Sequence, residues 1–390
     1  MKKSKWLVYL VFFICIFTFC TSCKKNDDSE GDSLVKAQSE KGLEKYLNEK
    51  YKDYQEIEYG LDITKKTKIV SICYSTWFTK ILGPGKSKVN PPNITEALAG
   101  TRPWGGVPAF HYWAEPALGY YRSDDIDVIR THMTELADAG VDFIIIDNTN
   151  ANADWKKTND WNLFITLPCT AILNTIVEMR SEGLKTPYVV FWSKADEKNG
   201  YTVTDETYKQ FYTEDKWKDC FVYWEGKPFT IVSNMLDDQP DNFTTRRMWG
   251  LHKNLATDEW SFLNAVNVPC QDSDGYNEQI CVCAAAQENY MSDPSAHGRN
   301  HGIFFYDQWQ NAFKANPKVV TLTWWNEWVA QESLDDEGNP RFVDAYTEEY
   351  SRDIEPMKGG HTDEYYQWMK EYIADYKNGE KCPRLVEEGY

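Results

Sequence analysis

The densest run of reactive residue types in the chain is Trp324-Trp325-Asn326-Glu327-Trp328. A carboxylate set between tryptophans at a strand end loses hydration, which raises a carboxyl pKa towards that of a general acid. Glu327 is therefore the first candidate for proton transfer. Glu288 follows a second apolar run, in Gln287-Glu288-Asn289-Tyr290, and Asp147 closes Phe143-Ile-Ile-Ile146. Carboxylates at neighbouring strand ends can stand about 5–9.5 Å apart, the separations used by retaining and inverting glycosidases. Glu327, with Glu288 or Asp147 as its partner, is expected to supply an acid and a base or nucleophile. Trp104 and His111, in a long aromatic loop, join Trp192, Asn289, Trp325 and Asn326 as expected substrate-binding residues. Rings stack on sugar faces, and amides answer hydroxyls.

The elements that must position these residues alternate along the chain. Strands are expected at 68–74, 141–147, 187–192, 221–224, 229–233, 246–251, 260–263, 279–286 and 319–325. The segments 221–224 and 229–233 look like a hairpin or a strand with an extension. Amphipathic helices are expected at 43–57, 123–139 (with Ser123 as N-cap), 169–182, 304–314 and 361–376. Strands alternating with helices argue for a parallel sheet with helices outside. A (β/α)8 barrel takes about 250 residues or more, so one α/β barrel domain with long strand-end loops accounts for the length. No Gly-rich turn follows the first strand, which argues against a dinucleotide-binding sheet. In a barrel the site lies at the C-terminal ends of the strands, where these polar and aromatic residues recur.

Composition narrows the classes. The chain has 390 residues and a formal net charge of −18, with 42% apolar and 15% aromatic residues. That apolar share excludes global disorder, and the acidity argues against nucleic acid as a partner. Lys2, Lys3 and Lys5 precede an apolar run from Trp6 to Phe19, the pattern of a secretory signal. Phe19-Cys20-Thr21-Ser22-Cys23 looks like a lipobox. Residues 1–22 are thus expected to be a signal peptide, Cys23 a lipidated anchor in the membrane, 23–42 an acidic tether and 43–390 the barrel domain. The expected location is the outer membrane, facing the surface or the periplasm, and the expected state is a monomer. Besides Cys23, the mature chain would keep Cys73, Cys169, Cys220, Cys270, Cys281, Cys283 and Cys382, an odd set expected to be mainly free thiols. Cys281 and Cys283 are expected on opposite faces of one strand. No zinc spacing, P-loop or nucleophile elbow occurs, and Gly298 disfavours a helical His297/His301 metal pair. No cofactor or metal is expected.

Several blocks resemble the glycoside hydrolase family 71/99-like proteins, including lipoproteins of Bacteroides-type bacteria. They are Ile72-Cys-Tyr-Ser-Thr-Trp77, Tyr120 through Val128-Ile-Arg-Thr-His-Met133 to Asp142, Gln287-Glu-Asn-Tyr-Met-Ser292, Thr323-Trp-Trp-Asn-Glu-Trp328 and Ser351-Arg-Asp-Ile-Glu-Pro-Met-Lys-Gly-Gly-His361. The resemblance implies a barrel that cleaves a polysaccharide or oligosaccharide. In the family 99 endo-α-mannosidases the strand-eight motif carries two catalytic Glu. The first matches Glu327. The second falls on Ala330, with Gln331 and Glu332 nearest. Either Glu288 or Asp147 replaces it, or the chain is a glycan-binding barrel without hydrolysis.

Overall fold

The structure is a computed structural model. It describes residues 35–387 except 79–93, 102, 104–109, 196–197, 238, 288–290, 293–295 and 344–346. Residues 35–390 form one compact unit.

The unit is mixed α/β, built on eight parallel strands: β1 (Ile69–Tyr74), β2 (Phe143–Asp147), β3 (Tyr188–Ser193), β4 (Lys227–Val232), β5 (Thr244–Gly250), β6 (Glu259–Ser261), β7 (Asn277–Cys283) and β8 (Val319–Thr323). β1, β2, β7 and β8 are buried along their whole length, as strands covered on both faces must be. They lie in chain order, with β8 returning to pair with β1. Representative pairs are Leu322↔Ile72, Ile72↔Ile144, Asp147↔Trp192, Trp192↔Ile231, Ile231↔Arg246, Met248↔Trp260 and Cys283↔Thr323. The backbone ladder is open between β6 and β7. There side chains bridge the strands. Ser261 N–H donates to Gln279 Oε1 at 2.8 Å, Gln279 Nε2 to Ser261 O at 3.1 Å, and Cys281 N–H to Ser261 Oγ at 2.8 Å. The expected strand order is present; a fully closed ladder is not.

The two-residue period of each strand sorts its side chains. Ile144 and Ile146 join the layer under the helices, while Phe143 and Ile145 join the inner cluster with Trp192, Trp260 and Trp324. Asp147 continues the inward-facing set. Cys281 and Cys283 fall on the same face, since residues two apart must. The expectation of opposite faces is corrected. The seven Cys among the described residues are all free thiols.

The longer helices are α1 (Glu40–Lys50), α2 (Ile126–Asp138), α3 (Leu167–Ser181), α4 (Ile303–Ala315) and α5 (Glu364–Asn378). Asp125, not Ser123, caps α2 by accepting from the N–H groups of Asp127 and Val128. Ser123 is otherwise engaged: its Oγ accepts from Phe78 N–H at 2.9 Å, holding the loop after β1. Gly140 ends α2 with φ +83°, and a Cβ there would stand 3.1 Å from Ile373 Cγ2 of α5. The expected hairpin forms, with Trp224 opposite Lys227.

A second sheet was not foreseen. Phe110–Tyr112, Val329–Leu334, Pro340–Val343 and Met291–Ser292 form four antiparallel strands. All four come from the connections that follow β1, β7 and β8. The long loops at the C-terminal ends therefore carry their own ladder.

Candidate active site

The segment after β8 divides its side chains between several environments. Trp324 packs inward, stacked on Trp192 with centroids 6.0 Å apart, and meets Phe262 edge-on. Trp325 points the other way, edge-on to His132 and Tyr366 beneath the helices. Asn326 clamps the end of β1: its Oδ1 accepts from Ser75 N–H at 2.8 Å, and its Nδ2 donates to Ser75 O and Tyr121 Oη. Trp328 stacks on Trp113 at 4.8 Å. Glu327 is the half-buried member, its carboxylate paired with the Arg352 guanidinium.

That ion pair changes the expected chemistry. The sequence suggests a desolvated carboxyl between tryptophans, but the structure places a buried guanidinium against it. A cation beside a carboxylate favours its charged form, which suits a base or nucleophile better than a proton donor.

A buried segment after the second sheet holds the motif in place. Ser351, Arg352, Asp353 and Glu355 are each no more than 1% exposed. Glu355 accepts from Tyr121 Oη at 2.7 Å and Trp328 Nε1 at 2.5 Å, and pairs with His132 Nε2 at 3.0 Å. His132 in turn meets Tyr74 Oη of β1 at 2.8 Å. Asp353 accepts from Trp113 Nε1 at 2.7 Å and from the backbone N–H of Glu327. Burial pushes the Asp353 carboxyl up to about 6, against the Glu327 N–H and the nearby guanidinium groups, which favour its charged form. Arg299 donates to Ser351 Oγ at 2.7 Å and to Asp353 O at 2.6 Å. Arg299, Arg352, Asp353 and Glu355 were not foreseen as site residues. The run that holds Arg352, Asp353 and Glu355 resembled the family, but a charged run by itself does not reveal that it is buried.

Asp147 stands at the end of β2, its Oδ1 accepting from Thr149 N–H at 2.8 Å. Cys73 of β1 lies between the β8 and β2 sides. Its thiol is raised by burial first, then by Cys281, Asp147 and Glu327, while Arg352 opposes them. Both carboxylates thus act on one inward-facing thiol, on strands in the order β8, β1, β2. Beside Asp147 is a hollow of about 10 Å3 lined by Trp77, Asn148, Asn150, Ala151, Trp155, Phe164 and Ile165.

The remaining expected site residues are placed as follows. Trp192 and Trp325 are 1% and 0% exposed, so the structure assigns both rings to packing rather than to an open sugar platform. Asn326 is likewise fully buried, its amide engaged with the β1 end. His111 is buried in the second sheet opposite Ala330, its ring edge-on to Phe342. Ala330 faces that interior too. Two residues on, Glu332 is buried, which raises its carboxyl. Trp104, Glu288, Asn289 and Cys23 lie outside the described residues. Among the described residues no His, Cys, Asp or Glu cluster could hold a metal. His297 instead stacks on Phe304.

No family model matches the sequence, and no curated protein matches it. Solved structures do. Two structures of the family 99 endo-α-mannosidase from Bacteroides thetaiotaomicron, one in complex with bis-tris propane, are similar to this chain at 12% identity. They cover 80% of this chain and 98% of theirs, with a TM-score of 0.50. A glycoside hydrolase-like protein matches at 12% identity over 82% of this chain and 97% of its own, with a TM-score of 0.44. The chain therefore has a family 99-like fold.

Proposed function

We propose that the protein is a glycoside hydrolase that cleaves a polysaccharide or oligosaccharide at the C-terminal face of a (β/α)8 barrel. The observation that carries this is the placement of Glu327 after β8 and of Asp147 at the end of β2, on the two strands that flank β1. Neighbouring strands are about 4.8 Å apart, so strand ends two apart stand roughly 9.6 Å from each other. Side chains leaning towards one another across that gap would bring their carboxyl groups within the separations inverting glycosidases use. Glu327, charged beside Arg352, serves as base or nucleophile. Asp147, or Glu288 on the β7 side, protonates the leaving oxygen. The fold shared with a glycosidase supports the same reading. No cofactor is required, and the segment between lipidated Cys23 and the folded unit, which begins at Val35 rather than at residue 43, tethers the domain to the outer membrane.

The test is a polysaccharide panel offered to the parent and to Glu327→Gln. Cleavage by the parent and loss of about 100-fold or more in the variant is expected, the scale of proton-transfer catalysis. Undiminished cleavage in Glu327→Gln would sink the assignment. One observation favours a second reading, a glycan-binding barrel without hydrolysis: Ala330 occupies the second Glu position of the family motif. Binding across the panel with no cleavage supports it.

A further inference from the structure

The hollow beside Asp147 has features that hydrolysis alone does not use. Trp77 and Trp155, both half-buried, stand among its walls, with Asp147, Asn150, Ala151, Phe164 and Ile165 around them. Its volume of about 10 Å3 is the room of one water-sized group. Asn148 lines it and is only 2% exposed. Its backbone is already committed, with N–H donating to Trp192 O at 2.8 Å. Its side-chain amide is not: neither Oδ1 nor Nδ2 meets an oxygen or nitrogen partner, and it interacts only with the buried Cys169 thiol, a weak hydrogen-bonding group.

A buried amide left in that state is unfavourable, and natural folds rarely keep one without reason. It points to a partner that the chain does not itself provide. An amide presents an acceptor and a donor side by side, which complements a hydroxyl, itself donor and acceptor. A carboxylate, sulfate or acetamido group has too many heavy atoms for this space. A methyl group would fit but would leave both amide atoms unpaired. The two indoles offer apolar surface against which the carbon face of a sugar can lie.

We propose that the hollow receives a single hydroxyl group of a neutral sugar residue and that Asn148 selects for it. This deepens the glycan reading given above and rests on it. The test titrates the full-length chain in detergent, by calorimetry, with neutral gluco-, manno- and galacto-oligosaccharides and with uronic-acid oligosaccharides. A neutral oligosaccharide is expected to bind, with Asn148→Ala weakening it by about tenfold or more. Asn148→Leu, close in size and wholly apolar, is expected to lose binding while melting no lower than the parent. Glu327→Gln is expected to bind like the parent without cleaving. Parent-like affinity in both Asn148 variants overturns the proposal and leaves the hydrolase reading standing, the hollow then holding only water. Binding lost in the Asn148 variants, with cleavage intact in Glu327→Gln, supports the hollow and removes the catalytic assignment. Preference for uronic acids, or no binding of any neutral sugar, also overturns it.

Discussion

At the scale of single residues, the site depends on charge held out of water. Arg352 is 1% exposed and Glu327 is half-buried. Removing one member of such a pair leaves the other desolvated, which typically destabilises by about 3–5 kcal/mol. Arg352→Met is expected to lower unfolding stability on that scale in urea titrations at pH 7; a change below about 1 kcal/mol would mean the pair is effectively solvated. Asp353 has a signature in pH. Its carboxyl sits at about 6 in the fold against about 3.9 in an unfolded chain. The native state therefore holds the proton more tightly. Its contribution is complete below about pH 4 and is lost as pH rises to 6, by at most roughly 3 kcal/mol. Asp353→Asn should flatten that part of the stability profile, and an unchanged slope would rule the group out as its source. These buried charges were the least legible part of the sequence. Polar residues in a loop read as solvated, and only the three-dimensional path of residues 351–355 takes them inside. The tryptophans misled in the opposite sense. Trp192 lies near the end of β3 and Trp325 just beyond β8, as a sugar platform would, but strands covered on both faces give each ring somewhere to pack.

At the scale of elements, the strand rhythm was readable. Apolar runs such as Phe143–Ile146 could only be covered on both sides, and glycines such as Gly140 and Gly183 mark helix ends at φ +83°. The second sheet was not readable. Its strands are short, and their partners lie in three separate connections, so no local period announces them. The open junction between β6 and β7 also depends on particular side chains. Ser261 and Gln279 exchange hydrogen bonds in place of a backbone ladder. Ser261→Ala removes the Oγ that accepts from Cys281 N–H. A buried donor left unmatched costs about 1–3 kcal/mol. Faster amide hydrogen exchange along β7 than in the parent is expected, with β1 and β2 unchanged. Equal rates in β7 would show that the bridge carries no stability.

At the scale of the whole molecule, a second buried group opposes Asp353. His361 is buried beside Arg299, and burial first, then that cation, hold its imidazole down at about 2. An unfolded His takes up a proton near 6.5, so the unfolded state binds more protons below that value. Stability is full above pH 6.5 and falls on acidification by up to about 1.4 kcal/mol per pH unit. His361→Phe, next to Tyr365, should remove that acid slope in thermal scans between pH 6.5 and 4.5. A slope of parent size would assign it elsewhere. Taken together, the mixed α/β class and the rhythm of strands and helices were legible from apolar runs and their punctuation, whereas the open β6–β7 junction and the packing of charges and rings at the mouth were not.

The point where the chain enters the folded unit has its own consequence. Gln38 donates through Nε2 to Asn277 O and Asn316 O, and Lys36 reaches Gly275 O. These acceptors sit at the starts of β7 and β8, the end opposite Glu327 and Asp147. Cargo fused ahead of residue 35, such as a fluorescent protein or a bead linker, would hang from the N-terminal ends of the strands and leave the end that carries Glu327 and Asp147 unobstructed.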